Sequence, residues 1–269
     1  MDDRPIGMFD SGFGGLTVAR ALIDLLPSEH LVYLGDTGRY PYGPRPLDEV
    51  RGFAEQITDL LVHEHDVKLL IVACNTAAAA GLERLQARVD VPVLGVIEPG
   101  VRSLARATHS GRVGVIGTVG TIGSGAYQHA VAALAPGVEL TCAACPGFVE
   151  FVERGETQSD QVTVLAERLL APVREAKVDA LLLGCTHYPF LARTISDAMG
   201  RDVVLVDSAD ETAFEVRALL HGSALARDAS SGPATHRWLS SGDVDTFRRL
   251  GRQLLGPELD TAEAVAWPE

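Results

Sequence analysis

Lysine is almost missing: Lys68 and Lys177 are the only two in 269 residues. Both precede apolar, strand-like runs, at the edge opposite the one where α/β proteins build their sites. A pyridoxal enzyme needs a Schiff-base lysine beside its substrate, so pyridoxal phosphate is not expected. Long apolar runs are missing too, and nothing approaches the roughly 18 residues of a membrane span. Met1-Asp2-Asp3-Arg4-Pro5 leads straight into a strand-like run, with no signal peptide. The expectation is a cytoplasmic chain with no membrane partner. Positive charge is scarce, with 23 Lys and Arg against 36 Asp and Glu and a net charge of −13. That argues against nucleic acid as the main partner, because nucleic acids recruit basic patches. There are only four cysteines, Cys74, Cys142, Cys145 and Cys185. In a cytosolic enzyme they stay reduced, and the ordinary fate of each is a small buried hydrophobe. Cys142-Ala143-Ala144-Cys145-Pro146 is a C-x-x-C, but no second pair completes a zinc set, so a structural role is expected.

What is present is an alternation of strand-like and helical segments. Candidate strands are Ile6–Asp10, Leu31–Gly35, Lys68–Ala73, Val93–Val96, Arg112–Gly117, Val138–Cys142, Asp179–Gly184 and Val203–Val206. Helical periodicity marks Leu47–His65, Thr76–Arg88 and Gln161–Ala176. Continuous apolar strands alternating with helices imply an α/β fold with mainly parallel sheets, covered on both faces. The stretch Gly222–Gly232 reads as a loop before a final strand and helix. An internal echo is visible. Leu69-Leu70-Ile71-Val72-Ala73-Cys74-Asn75-Thr76 resembles Leu181-Leu182-Leu183-Gly184-Cys185-Thr186-His187, and Ile6-Gly7-Met8-Phe9 resembles Val113-Gly114-Val115-Ile116, at nearly the same spacing. Two similar α/β units would follow, with matching sites at matching strand ends.

Sites in α/β sheets lie outside the carboxyl ends of strands, and Cys74 and Cys185 both fall there. Cys74 precedes Asn75, Thr76 and an alanine-rich helix. Free N–H groups at a helix N-terminus stabilise a thiolate, and a modest shift would make this thiol a usable base. Cys185 repeats the arrangement, followed by Thr186, His187, Tyr188 and Pro189, with proline suited to the first helical turn. His187 is placed to tune that thiol or relay its proton. Asp10 and Ser11 end the first strand before Gly12-Phe13-Gly14-Gly15. This turn lacks G-x-G-x-x-G, because Thr17 takes the third glycine position, and it lacks the Walker ending. A compact anion or a tight turn fits it better than a nucleotide. Asp10 could orient an ammonium group or assist Cys74. Tyr40-Pro41-Tyr42-Gly43-Pro44 is a rigid loop suited to a pocket wall.

Taken together, these motifs closely resemble the bacterial glutamate racemases of the aspartate/glutamate racemase superfamily. The matching pieces are Asp10 to Leu16, Asp36 through Pro41-Tyr42-Gly43, Ala73 to Thr76, Gly117-Thr118 with Thr121, and Leu183 to Pro189. The likeness runs from about residue 5 to Leu255. It implies two pseudo-two-fold related domains facing a cleft, residues 1–97 plus 210–269 and residues 98–209. It implies interconversion of L- and D-glutamate, supplying D-glutamate for peptidoglycan, with no cofactor and no metal. By match, Cys74 and Cys185 are the two bases, acting on the D- and L-isomer respectively, and Asp10 and His187 are their helpers. Ser11, Tyr42, Gly43, Asn75, Thr76, Thr118, Thr121 and Thr186 would line the substrate pocket together with Asp10 and His187. Glu153 matches a further carboxylate near the cleft. Glu150 departs from the pattern, where many relatives have proline. Some relatives carry an N-terminal extension linked to control by a cell-wall precursor; only five residues precede the first strand here, so that control is not expected. A homodimer is left open. The alternatives are an aspartate racemase of the same fold, a cysteine hydrolase using Cys185 and His187, which leaves Cys74 unexplained, and a small-ligand sensor.

Overall fold

Among the described residues, ten strands form two separate, wholly parallel sheets. The computed structural model describes residues 1–267; Pro268 and Glu269, the last two residues of the expected first domain, lie outside the described residues. The strands are β1 (Ile6–Asp10), β2 (Leu31–Gly35), β3 (Leu69–Val72), β4 (Val93–Gly95), β5 (Arg112–Gly117), β6 (Glu139–Ala144), β7 (Ala180–Gly184), β8 (Val204–Val206), β9 (His236–Ser240) and β10 (Glu263–Ala264). The first sheet has the order β10-β9-β2-β1-β3-β4 and the second β6-β5-β7-β8. The second thus repeats the order of the β2-β1-β3-β4 part of the first. Strands β1, β2, β3 and β7 are buried along their whole length, which is why their sequences are apolar runs rather than alternating ones.

The echo extends to single residues. Gly7 in β1 pairs with Leu70 in β3, and Gly114 in β5 pairs with Leu181 in β7. A Cβ on Gly7 would lie 2.9 Å from Val67, and one on Gly114 would lie 2.7 Å from Leu181. Both glycines therefore let side chains of the neighbouring strand and its lead-in cross the sheet face. At the strand exits, the Asp36 amide donates to the Asp10 carbonyl and the Cys145 amide to the Gly117 carbonyl, each at 2.9 Å. Cys145 holds in the second unit the place that Asp36 holds in the first. Neither apolar core is confined to one sheet; each runs across both.

The eight expected strands form, with ends shifted by up to two residues. The anticipated final strand is β9, and the short edge strand β10 has no periodicity long enough to announce it. All three expected helices are interrupted: Thr76–Arg88 kinks at Gly81, whose backbone is not helical, and the other two are divided. The segment Leu47–His65 is α-helical to Asp59 and then makes a π-turn over Leu60–Glu64. The segment Gln161–Ala176 breaks after Leu169 and restarts at Ala171 with Pro172 in its first turn, because proline cannot donate inside a continuous helix. Helix Ala209–His221 packs against helix Leu16–Leu25 of the first unit and helix Ile97–Ala107. No helix among the described residues is long and apolar enough to cross a membrane.

Far from the strand exits, Lys68 is fully buried and donates to Glu29 Oε2 at 2.6 Å and to the Asp2 carbonyl at 2.7 Å. The Arg227 amide donates to the other Glu29 oxygen at 2.9 Å. One of the two lysines is therefore consumed in an internal ion pair.

Candidate active site

In a sheet of order 2-1-3-4, the chain leaves the two central strands in opposite directions and opens a crevice at their carboxyl ends. In the first sheet those ends lead to Asp10 and Ser11 after β1 and to Cys74 after β3. In the second they lead to Thr118 after β5 and Cys185 after β7. The two crevices meet. Ser11, Cys74, Asn75 and Thr76 from one unit and Thr118, Cys185, Thr186 and His187 from the other wall a single cavity, closed by the loop Tyr40–Gly43 and Val149. It offers about 20 Å³ of room, little more than one water needs. A substrate the size of glutamate requires its walls to part. A larger surface groove lies near Trp267 and His63, but neither cysteine lines it.

Cys74 sits at the N-cap of helix Asn75–Arg88 with extended backbone. Burial pushes its thiol up to about 12, and the Asp10 carboxylate adds to the rise. Hydrogen bonds from the Ala77 amide and from the amide and hydroxyl of Ser11 pull the other way without prevailing. Cys185 is likewise raised, first by burial; the amides of His187 and Tyr188 oppose the rise, and Asp10 and Cys74 add to it. This corrects the expectation that a helix N-terminus would make Cys74 a ready thiolate. The helix end supplies one or two N–H groups, whereas closure removes all bulk water from the sulfur. Because each sulfur's charge disfavours the other's, the pocket favours one thiolate at a time.

Asp10 is fully buried and does not itself line the cavity. Its Oδ2 accepts the amides of Gly12 at 3.2 Å and Gly15 at 3.0 Å, and its Oδ1 accepts the Thr186 hydroxyl at 3.4 Å. The glycine turn thus wraps a carboxylate of the chain itself. A Cβ at Gly14 would lie 2.5 Å from both His187 Nδ1 and Thr186 Oγ1. Phe13 packs edge-on against His187, with 4.9 Å between ring centroids. His187 Nε2 bonds Glu153 Oε1 at 3.2 Å, so Glu153 stands behind the histidine and off the cavity wall.

Three hydroxyls join the units. Thr76 Oγ1 lies 3.0 Å from Thr118 Oγ1 and 3.1 Å from Thr121 Oγ1, and the last two are 2.9 Å apart. Thr121 is fully buried behind Thr118 and supports the wall without forming it. Asn75 accepts the Tyr127 hydroxyl at 2.5 Å. Tyr42 lines the pocket, and its hydroxyl donates to Asp36. Gly43 abuts Thr118, and its carbonyl accepts the Gly120 amide at 3.0 Å. Glu150 borders an adjoining cavity. Cys142 and Cys145 are free thiols away from the cavity wall, and no cluster of three metal-binding side chains occurs among the described residues. Tyr40, read in the sequence only as part of a wall-forming loop, lines the cavity with its ring 5.9 Å from that of His187. Sequence reasoning missed Val149, which carries no chemical signature.

Residues 15–216 match the Asp/Glu/Hydantoin racemase family. The chain is 54% identical over 266 residues to a glutamate racemase of Parafrankia, covering 99% of this chain and 95% of that one. A glutamate racemase structure from Bacillus anthracis superposes with a TM-score of 0.93 at 40% identity, covering 100% of this chain and 99% of that one. The Francisella tularensis glutamate racemase in complex with D-glutamate superposes with a TM-score of 0.91 at 33% identity, covering 99% and 98%. The chain belongs to the Asp/Glu/Hydantoin racemase family. Within that family it groups with the glutamate racemases, which are isomerases.

Proposed function

We propose that this chain interconverts L- and D-glutamate by passing the Cα proton between two thiols, Cys74 and Cys185, and so supplies D-glutamate for peptidoglycan. The observation that carries the reading is the placement of two cysteines at equivalent exits of two equivalent sheets, walling one cavity. The Cα proton of an amino acid is very weakly acidic. Its removal needs a placed base, and reprotonation on the other face needs a placed acid. From L-glutamate, the Cys185 thiolate takes the proton and the carboxylate-stabilised carbanion accepts one from the Cys74 thiol. The product is D-glutamate, with Cys185 protonated and Cys74 ionised. The reverse reaction starts from that state. Asp10, buried behind the cavity wall, would assist Cys74 and reach the ammonium once the walls part for substrate, and His187, backed by Glu153, would assist Cys185. Amides and hydroxyls of Ser11, Asn75, Thr76, Thr118 and Thr186 would hold the carboxylates without arginine. The wall Tyr42-Gly43 would set the length of acid accepted, and Thr121 would brace Thr118.

The same reading divides the chain into residues 1–97 with 210–269 and residues 98–209, supported by the separate sheets, and sets the reaction in the cytoplasm. It invokes no cofactor or metal. Polarimetry of D- and L-glutamate with purified protein tests the activity, and proton NMR in deuterated water tests the mechanism. D-glutamate formed from L-glutamate should carry deuterium at Cα from the first turnovers, since the donating thiol equilibrates with solvent beforehand. Original hydrogen retained in early product, or near-normal turnover in Cys74→Ala or Cys185→Ala, would refute it. Sedimentation with and without glutamate decides whether the chain forms a homodimer.

A further inference from the structure

The strand β10 and the residues after it run along the outer edge of the first sheet and end against the pocket loop. Glu263 and Ala264 pair with Leu239 and Ser240, and the Val265 amide donates to the Ser240 carbonyl at 2.9 Å. Arg237 clamps Glu263 through both carboxylate oxygens, at 2.9 and 2.7 Å. The segment then delivers Trp267 onto Asp36, a fully buried carboxylate. Asp36 Oδ1 accepts the Trp267 indole N–H at 2.9 Å and the Ser241 hydroxyl at 2.6 Å. Oδ2 accepts Arg39 Nε at 2.7 Å and the Tyr42 hydroxyl. Four donors fill the four acceptor positions of one carboxylate. The Arg39 guanidinium is held between two rings, 4.0 Å from Trp267 and 4.2 Å from Phe53.

Arg39, Tyr42 and Gly43 belong to one loop, and its far end, Gly43, is bonded to the second unit through Gly120. The loop is therefore pinned at both ends, to the second unit at Gly43 and to the Trp267 segment through Asp36 and Arg39. We infer that Glu263–Trp267 is a strap whose Trp267 is a positioning residue for the pocket loop Tyr40–Gly43, setting glutamate affinity rather than the proton-transfer step. Trp267 does not line the cavity with the cysteines, so it acts only through Asp36 and Arg39. The inference rests on the reading of Tyr42-Gly43 as a wall of the glutamate site.

The test uses the full chain and steady-state kinetics with D- and L-glutamate. Trp267→Ala removes both the indole N–H bond and the ring over Arg39. KM should rise about tenfold in both directions with kcat within about threefold. Trp267→Phe keeps the ring and loses only the N–H, and should recover most of that loss. The only other tryptophan is Trp238, in the core. Saturating D-glutamate should therefore change the emission of the native chain and leave that of Trp267→Phe unchanged. Thermal melts separate the merely structural case: a lower Tm with unaltered KM in folded Trp267→Ala overturns the inference, as does an equal emission change in both proteins. Gly43→Ala, whose Cβ would meet Thr118 at 2.8 Å, serves as the control. If Gly43→Ala raises KM while Trp267→Ala does not, the strap fails alone; if neither does, the reading of the wall fails with it.

Discussion

The raised thiols make a quantitative claim about pH. In the closed pocket the Cys74 thiol is pushed up to about 12, by burial first and by Asp10 second. At pH 8 about one molecule in 10⁴ then carries that thiolate. The parameter kcat/KM reports the protonation states of free enzyme and free substrate. Measured from D-glutamate, for which the proposed mechanism makes Cys74 the base, it should follow the thiolate fraction. The transition state carries one proton fewer than the resting enzyme, so kcat/KM rises tenfold per pH unit. Between about pH 6.5 and 8.5 the gain is roughly a hundredfold, with no plateau. The assay is initial-rate polarimetry at low substrate, with circular dichroism confirming the fold at each pH. The L-to-D direction should rise in the same sense, because burial also raises Cys185. A flat profile, or a plateau starting near pH 7, would show that the proton passes to a neighbour such as Asp10 or His187 instead of leaving the pocket.

Three further outcomes follow from the same geometry. Cys74, Cys145 and Cys185 are buried with pKa values raised above those of an unfolded thiol. Their contribution to stability is complete below about pH 8.5 and is lost as pH rises toward 12, at up to about 1.4 kcal/mol per thiol per pH unit; urea midpoints should fall steeply above pH 9, less so in Cys145→Ala, and a flat alkaline limb would contradict this. Lys68→Met leaves Glu29 buried with only the Arg227 amide, and should cost about 3–5 kcal/mol in chemical denaturation while kcat/KM of the folded protein stays within about twofold; loss of activity without loss of stability would reverse the assignment. Gly14→Ala forces a methyl into His187 and Thr186, so turnover should fall at least about tenfold in protein that still folds, and full activity would mean that the histidine tolerates displacement.

Much of this architecture is legible in the sequence. Strands β1 and β2 match their expected bounds, because a strand buried along its whole length stands out locally, and β5 does so too, with only its first residue, Arg112, exposed. The placement of Cys74 and Cys185 at the exits of such strands is legible for the same reason. The two split helices were less so, since the apolar period continues through the π-turn after Asp59 and through the break at Leu170. The edge strand β10, two exposed residues long, has no pattern to read.

What the sequence by itself determined is therefore local: which segments are strands, which turns need glycine, and which cysteines stand at strand ends. Tertiary structure alone decided which distant groups share a site. Thr76 meets Thr118 and Thr121, His187 meets Glu153, and Asp36 gathers Tyr42, Ser241 and Trp267. It also decided the sign of the thiol shifts. A helix N-terminus can be read from a few neighbouring residues, and it lowers the pKa of a thiol beside it. Burial depends on everything that closes over the sulfur from both units, and in this pocket it is the larger effect.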